Sequence, residues 1–421
     1  MFNLKDDTLK VLMRNRRHAG EFQYTVPSPD TYPYQWLWDS CFHAIILTRF
    51  RVEDAKKELR SLVSKQFENG LIPHVIYWEK HTVVNIDWGV SGTSTLTQPP
   101  LIAYAAWRIY AQDGDKQFLQ ELYPHLNRFY RYLLTRDPHG HHLVGIINPD
   151  ESGEDNSPRF DAALGLPPRH KRPENNAKRF DLFEKNKTCA FDAIHCMREF
   201  FWVKDVPMSA YLVENLTHLA RIARELGDEE NEAYMTGQAH LMSEAMKQHL
   251  LEDGIFWSVY GGDYTKIKVK TWAMFAPLVA GIASAEDAKN LVEHHFKNKD
   301  EFFCAYPIPT TAKDEEAYSS VEDEGPAWLH PNWRGPVWMA SNWFVFRGLI
   351  RYGFREEAAL IKQKSIELLE KSGFREYFHP DTGEGMGAHD FTWGGLALDM
   401  DDKIHLDLSL DDPAIVEKLS A

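Results

Sequence analysis

Apolar residues recur along most of the chain at intervals of three and four, the spacing that gathers them on one face of an α-helix. In residues 207–226, Leu212, Leu216, Leu219, Ala223 and Leu226 form one stripe, Pro207 suits a first turn and Gly227 suits a stop. In residues 52–67, Ala55, Leu59, Leu62 and Phe67 lie near one face, with Asn69-Gly70 as the stop. The same periodicity predicts helices near 40–51, 98–112, 116–135, 189–203, 229–250, 268–280, 284–297, 336–352, 355–372 and 392–400. Strand patterns are few; 74–80 and 254–264 suit short strands or hairpins. No low-complexity linker or break in composition divides the chain, so residues 1–421 read as a single all-α domain. About twelve helices joined in pairs by short turns imply six inner and six outer helices closing a ring, an (α/α)6 barrel with long active-site loops.

Composition narrows the classes of function. With 43% hydrophobic residues, 13 Trp, 17 Tyr and 24 Phe, the chain holds more aromatic surface than a core requires, and spare Trp and Tyr commonly line pockets. The net charge of −15 and the lack of a Lys/Arg-rich run argue against a nucleic-acid or anionic-membrane partner. No apolar run reaches the roughly 18 residues of a membrane span. The first residues are charged and helical in pattern, unlike a secretory signal, which points to the cytoplasm. The four cysteines, Cys41, Cys189, Cys196 and Cys304, form no CxxC pair, and reduced, buried thiols are expected. Oligomeric state is not written in these patterns.

The informative segments fall between the helices. They are YPYQWLWDS (32–40), NIDWGVSGTSTLTQPP (85–100), NPDESGEDNSPRFD (148–161), HPNWRGPVW (330–338) and GFREYFHPDTGEGMGAHDFTWGG (373–395). All mix Trp or Tyr with carboxylates, amides or Arg. Alternate connections of a helical barrel emerge at one end, so five such loops can surround one pocket. Trp faces bury the CH face of a sugar ring, and carboxylates and Arg bind its hydroxyls through charge-assisted hydrogen bonds. Cleaving a glycosidic bond then needs two carboxyl groups, one to protonate the leaving oxygen and one to activate water or attack the anomeric carbon. There is no Gly-x-Ser-x-Gly, HExxH, Walker or GxGxxG motif, and no metal or cofactor site is expected; the acidic stretch 314–326 lacks calcium-loop spacing.

The motifs YPYQWLWDSCFHA, ESGEDNSPRFD, NWRGPVW and REYFHPDTGEGMGAHDFTW resemble, in order and over roughly residues 20–400, glycoside hydrolase family 63. The likeness is to the bacterial branch that includes mannosylglycerate and glucosylglycerate hydrolases, and features are shared with trehalases and glucoamylase-type barrels. The resemblance implies that Asp155, in the SG-x-D pattern, is the general acid and Glu376, in the E-Y-F-x-P-x-T-G pattern, the general base. They stand 221 positions apart, so only the fold can unite them. It also implies an inverting mechanism and a small soluble glycoside as substrate. Trp38 and Asp39 fall in a trehalase-like WDS element that binds sugar hydroxyls, with Tyr34, Gln35 and Trp36 as neighbours. Trp88, Gln98, Trp333, Arg334 and Trp393 are further substrate-binding candidates, and Glu384 is a rival base. Residues 162–188, with Arg169, Lys171, Arg172, Lys178 and Arg179, form a basic insertion that is either a surface loop or a lid suited to a carboxylate leaving group such as glycerate. Within the class the alternative is a hydrolase of a neutral disaccharide; outside it, a carbohydrate-binding protein without catalysis.

Overall fold

The structure, a computed structural model, describes residues 2–79, 87–320 and 331–403. Its helices are α1 (Leu4–Asn15), α2 (Leu37–Leu47), α3 (Val52–Val63), α4 (Ile102–Asp113), α5 (Lys116–Leu134), α6 (Asp161–Leu164), α7 (Arg172–Thr188) and α8 (Ala193–Glu199). They continue with α9 (Val206–Leu226), α10 (Glu229–His249), α11 (Ala276–Val279), α12 (Ala285–Asn290), α13 (Met339–Arg351) and α14 (Arg355–Ser372). Caps follow local chemistry. The Asp205 side chain accepts from the Met208 amide at the start of α9, with Pro207 in the first turn and Gly227 in the left-handed conformation at its end.

Six segments touch in sequence to make a closed inner ring: α2, α4, α9, the Trp272–Phe275 turn with α11, α13, and the 3-10 segment Thr392–Leu398, which returns to α2. Helices α2 and α13 are buried on nearly every face, as elements with a second layer outside them must be. The outer layer pairs α3 with α2, α5 with α4, α10 with α9 and α14 with α13. The fold is an (α/α)6 barrel, as the periodicity implies.

Three details differ from the sequence reading. The outer partner of the last inner segment is α1, which packs on Thr392–Leu398; residues 189–203 contribute only the short α8, away from the ring. Residues 172–188 form helix α7 rather than an irregular loop; few of its side chains are buried, so no apolar stripe announces it. Cys189 and Cys196 are joined in a disulfide, against the expectation of four thiols. Positive φ at Ala190 and Phe191 doubles the chain back and brings the two Cα atoms to 5.6 Å. Cys41 and Cys304 are free. Among the described residues, no helix is long and apolar enough to cross a membrane.

The expected short strands occur at Val75–Ile76 and within 255–260. A hairpin of Arg375–Phe378 with Gly385–His389 connects α14 to the last inner segment and becomes central to the site.

Candidate active site

One end of the ring holds a cavity of about 160 Å³ whose wall draws on all five loops together with Pro27 and His74. Pockets for drug-sized ligands run to about 300–1,000 Å³, so this one suits a single small ring. Asp155 and Glu376 both line it, as do Trp36, Trp38, Asp39, Gln98, Trp333 and Trp393. Tyr34, Gln35, Trp88 and Arg334 are not among its lining residues.

The loop bearing Asp155 is rigid for local reasons. Pro149 and Pro158 each start a 3-10 turn, where a fixed φ and a missing N–H cost nothing. The Asn148 side chain accepts from the Asp150 amide. Glu151, fully buried, takes both arms of Arg136 and the amides of Thr97 and Ile147, so it braces the loop from beneath. Glu154 turns away from the cavity to Arg159 (2.6 Å) and the Trp272 indole (2.9 Å), and Arg159 continues to Asp205 at the start of α9 (2.8 Å). Gly153 lies between them with φ +72°; a Cβ there would fall 2.4 Å from the Trp38 ring. The chain thus passes close over Trp38, leaving Asp155 aimed at the cavity.

The Asp155 side chain keeps 32% of its surface accessible and lines the cavity. Burial raises its pKa above the usual carboxylate value; Arg179 of α7, 2.7 Å away, opposes that rise and Asp150 adds to it.

Glu376 sits where the hairpin register shifts between Arg375 and Tyr377, a bulge that redirects its side chain. Oε1 accepts from the Tyr32 hydroxyl at 2.7 Å and Oε2 from the Ala388 amide at 2.7 Å. Gly387, φ +65°, leaves the space that Oε2 fills. Burial and then the charge of Glu376 hold the Tyr32 phenol well above its ordinary pKa, with Asp155 contributing, so the phenol remains a donor. Glu384 is exposed at the far end of the hairpin, outside the cavity.

Asp39, in the first turn of α2, accepts from the Trp393 indole at 2.7 Å. Burial pushes its carboxyl up to about 6. Trp38 meets Trp393 edge-on at 4.9 Å, and Trp333 stacks on Trp338 at 3.9 Å. The Trp36 indole N–H is buried with no partner and stands at the cavity wall, a donor awaiting an acceptor. Burial takes His74 down to about 3, so it lines the cavity as a neutral ring bonded to Ser94 Oγ at 2.6 Å.

The remaining candidates are structural neighbours. Gln35 is fully buried and bridges Ser40, Ser61 and the Trp78 indole. Tyr34 packs edge-on against Tyr77. Trp88 packs on His74, Phe183 and Phe191 and donates to Tyr77. Arg334 forms a buried fork with Asp161, which orders the acid loop against the Trp333 segment. Sequence reasoning did not single out Tyr32, Trp338, Asp150 or Phe391, although each lies inside a motif it quoted; His74 and Asn332 also line the cavity. In the basic insertion only Arg179 reaches the acid; Arg169 instead donates to the Glu316 carbonyl.

A cavity walled by indoles, with a raised carboxyl group on one loop and a doubly anchored carboxylate on another, at the end of an (α/α)6 ring, defines a glycoside hydrolase. Residues 32–394 match the mannosylglycerate hydrolase MGH1-like glycoside hydrolase domain, and the chain belongs to that family. It is 34% identical to the mannosylglycerate hydrolase of Thermus thermophilus, covering 93% of this chain and 98% of that one. It is 27% identical to the glucosylglycerate hydrolase of Mycolicibacterium hassiacum, covering 89% and 93%. Among solved structures, a family 63 mannosylglycerate hydrolase of Thermus thermophilus in complex with Tris and D-glycerate superposes with a TM-score of 0.84 at 31% identity, over 94% of this chain and 99% of that one.

Proposed function

We propose that this chain is an inverting exo-α-glycosidase of the cytoplasm that hydrolyses α-mannosylglycerate or α-glucosylglycerate, with Asp155 as general acid and Glu376 as general base. The observation that carries the proposal is that both carboxyl groups line one indole-walled cavity sized for a single ring, with Arg179 beside the acid. The names of the similar enzymes, and the D-glycerate in one solved relative, support the leaving group. The whole chain works as one catalytic domain, and residues 162–188 cover the leaving-group side.

In this reading Trp38 and Trp393 present apolar faces to the sugar, while Asp39 and the Trp36 N–H bind its hydroxyls. Asp155 gives its proton to the glycosidic oxygen as the bond to the anomeric carbon breaks. Glu376 takes a proton from the water that attacks the opposite face. Tyr32 and the Ala388 amide fix the direction in which Glu376 accepts it. An inverting pair stands about 6.5–9.5 Å apart, leaving room for that water.

The test is a hydrolysis screen on mannosylglycerate, glucosylglycerate, trehalose and kojibiose, followed by proton NMR of the first product. One of the two glycerates should be the best substrate, and β-sugar should appear first. A neutral disaccharide turned over best would overturn the substrate, and α-sugar first would overturn the mechanism.

A further inference from the structure

A general acid must carry its proton when the leaving oxygen departs. Here the candidate acid is in an ion pair. Asp155 Oδ2 lies 2.7 Å from Nη1 of Arg179, and Nη2 of the same guanidinium takes Asp150 Oδ1 at 2.8 Å. An adjacent Arg favours the ionised carboxylate, typically by about 1–3 pH units. The fork is also unsaturated: Arg179 Nε and Asp150 Oδ2 are buried and make no hydrogen bond. Other charged or titratable groups near Asp155 are Tyr32, whose phenol stays protonated, and Glu376, on the base hairpin. Glu154 beside it is spent on Arg159 and Trp272. Arg179 is thus the one cation in contact with the acid among the described residues, and it belongs to the helix over the leaving-group side.

We propose that Arg179 is shared between the acid and the leaving group: an anionic aglycone draws Nη1 from Asp155 to its own carboxylate, Asp150 keeps Nη2, and Asp155, relieved of its cation, takes up the proton it then delivers. The inference rests on the reading that the leaving group bears a carboxylate. The proton comes from solvent onto Asp155 and passes to the glycosidic oxygen as that bond to carbon breaks. The attacking water forms the new bond and its proton goes to Glu376. Asp150 is then a positioning residue, keeping the guanidinium in reach of both anions. A substrate with the correct leaving group would arm its own acid, and a neutral glycoside would leave Asp155 paired with its cation.

Two measurements test this. Calorimetry of D-glycerate binding near pH 7, in buffers of different ionisation heat, should show proton uptake by the parent and none by Asp155→Asn. Profiles of kcat and kcat/KM against pH, on a glycosylglycerate and its glycerol analogue, form the second. In the parent the basic limb of kcat for the glycerate substrate should lie about 1–3 pH units above that of kcat/KM, whereas for the glycerol analogue the two should coincide. Arg179→Met should raise the kcat/KM limb and lower the preference for the acid roughly 10- to 150-fold. Arg179→Lys should restore part of both. Glycerate binding without proton uptake, or lost preference with unmoved limbs, overturns the shared-cation proposal while leaving the substrate standing. No glycerate binding and no preference for the acid overturns the substrate reading itself.

Discussion

Replacing Gly387 with Ala should cripple turnover without unfolding the enzyme. The built Cβ would stand 2.4 Å from Glu376 Oε2 and 2.6 Å from the Tyr377 ring. An ordinary contact with a Cβ begins at about 3.4 Å, so the carboxylate must retreat by about 1 Å. A displacement of that size in a positioned catalytic group costs about 10²-fold in rate. The hydrogen bond from the Ala388 amide, 2.7 Å to the same oxygen, would be broken by the same movement. The backbone contributes a separate penalty, since φ of +65° strains any residue with a Cβ by about 1 kcal/mol. Gly353→Ala isolates that penalty: its φ is +79° and nothing lies within 4 Å of its Cβ. Steady-state kinetics on the best substrate, with urea unfolding of both variants, separates the effects. Both should lose the backbone share of stability, Gly387→Ala should lose more by the cost of its contacts, and only Gly387→Ala should lose kcat. A folded Gly387→Ala enzyme with parental kcat would refute the argument that Glu376 is held in place by that missing Cβ.

Asp155→Asn and Glu376→Gln should each lower turnover by several orders of magnitude with circular dichroism unchanged, because neither amide can transfer the proton its carboxyl group does; a folded Glu376→Gln enzyme of near-normal activity would remove the base assignment. Asp39→Asn should abolish activity yet stabilise the protein above pH 6. The folded pKa of about 6 lies above the ordinary 3.8, so the parent's stability from this group is complete below about pH 4 and declines as pH rises through 6. The difference in unfolding free energy between variant and parent should therefore grow by about 3 kcal/mol from pH 4 to 7, and a flat difference would show that Asp39 carries no burial penalty. Glu151→Gln leaves the Arg136 charge buried without its counter-ion and should cost about 3–5 kcal/mol in urea unfolding; a loss below about 1 kcal/mol would mean that the loop is braced elsewhere.

Periodicity disclosed the barrel because inner helices need apolar residues on several faces and outer ones on a single stripe. It misplaced the last outer element because α1 and residues 189–203 both carry helical patterns, and only packing shows that α1 backs the Thr392–Leu398 segment. Helix α7 escaped notice since its partners are a few loops, so charged residues surround it and no stripe forms. The cavity wall was readable in outline, as motif loops dense in Trp and carboxylates. Which side chain faced the cavity was not: Gln35 sits in the same motif as Trp38 and Asp39, and Trp88 in the same motif as Gln98, yet their polar atoms are consumed by Ser40, Ser61 and Tyr77. Tyr32 needs the hairpin from the other end of the chain before its hydroxyl has anything to meet. The same is true of Arg179, whose partners are set by where α7 lies.

The base hairpin is tied to the beginning of the chain at several points. The Asn15 amide donates to the carbonyls of Asp390 (2.8 Å) and Pro27 (3.2 Å), Ser28 donates to the His389 carbonyl (3.0 Å), and Tyr32 holds Glu376 itself. On the ribosome the first thirty residues emerge long before their partners near position 390, so the base is positioned only after almost everything else has been made. A chain clipped by a protease near its start would keep the loops of Asp155 and Trp333 and still be inert. Activity therefore reports a chain whose early and late segments have met, and it would be lost at a first nick near residues 15–32 before the barrel itself came apart.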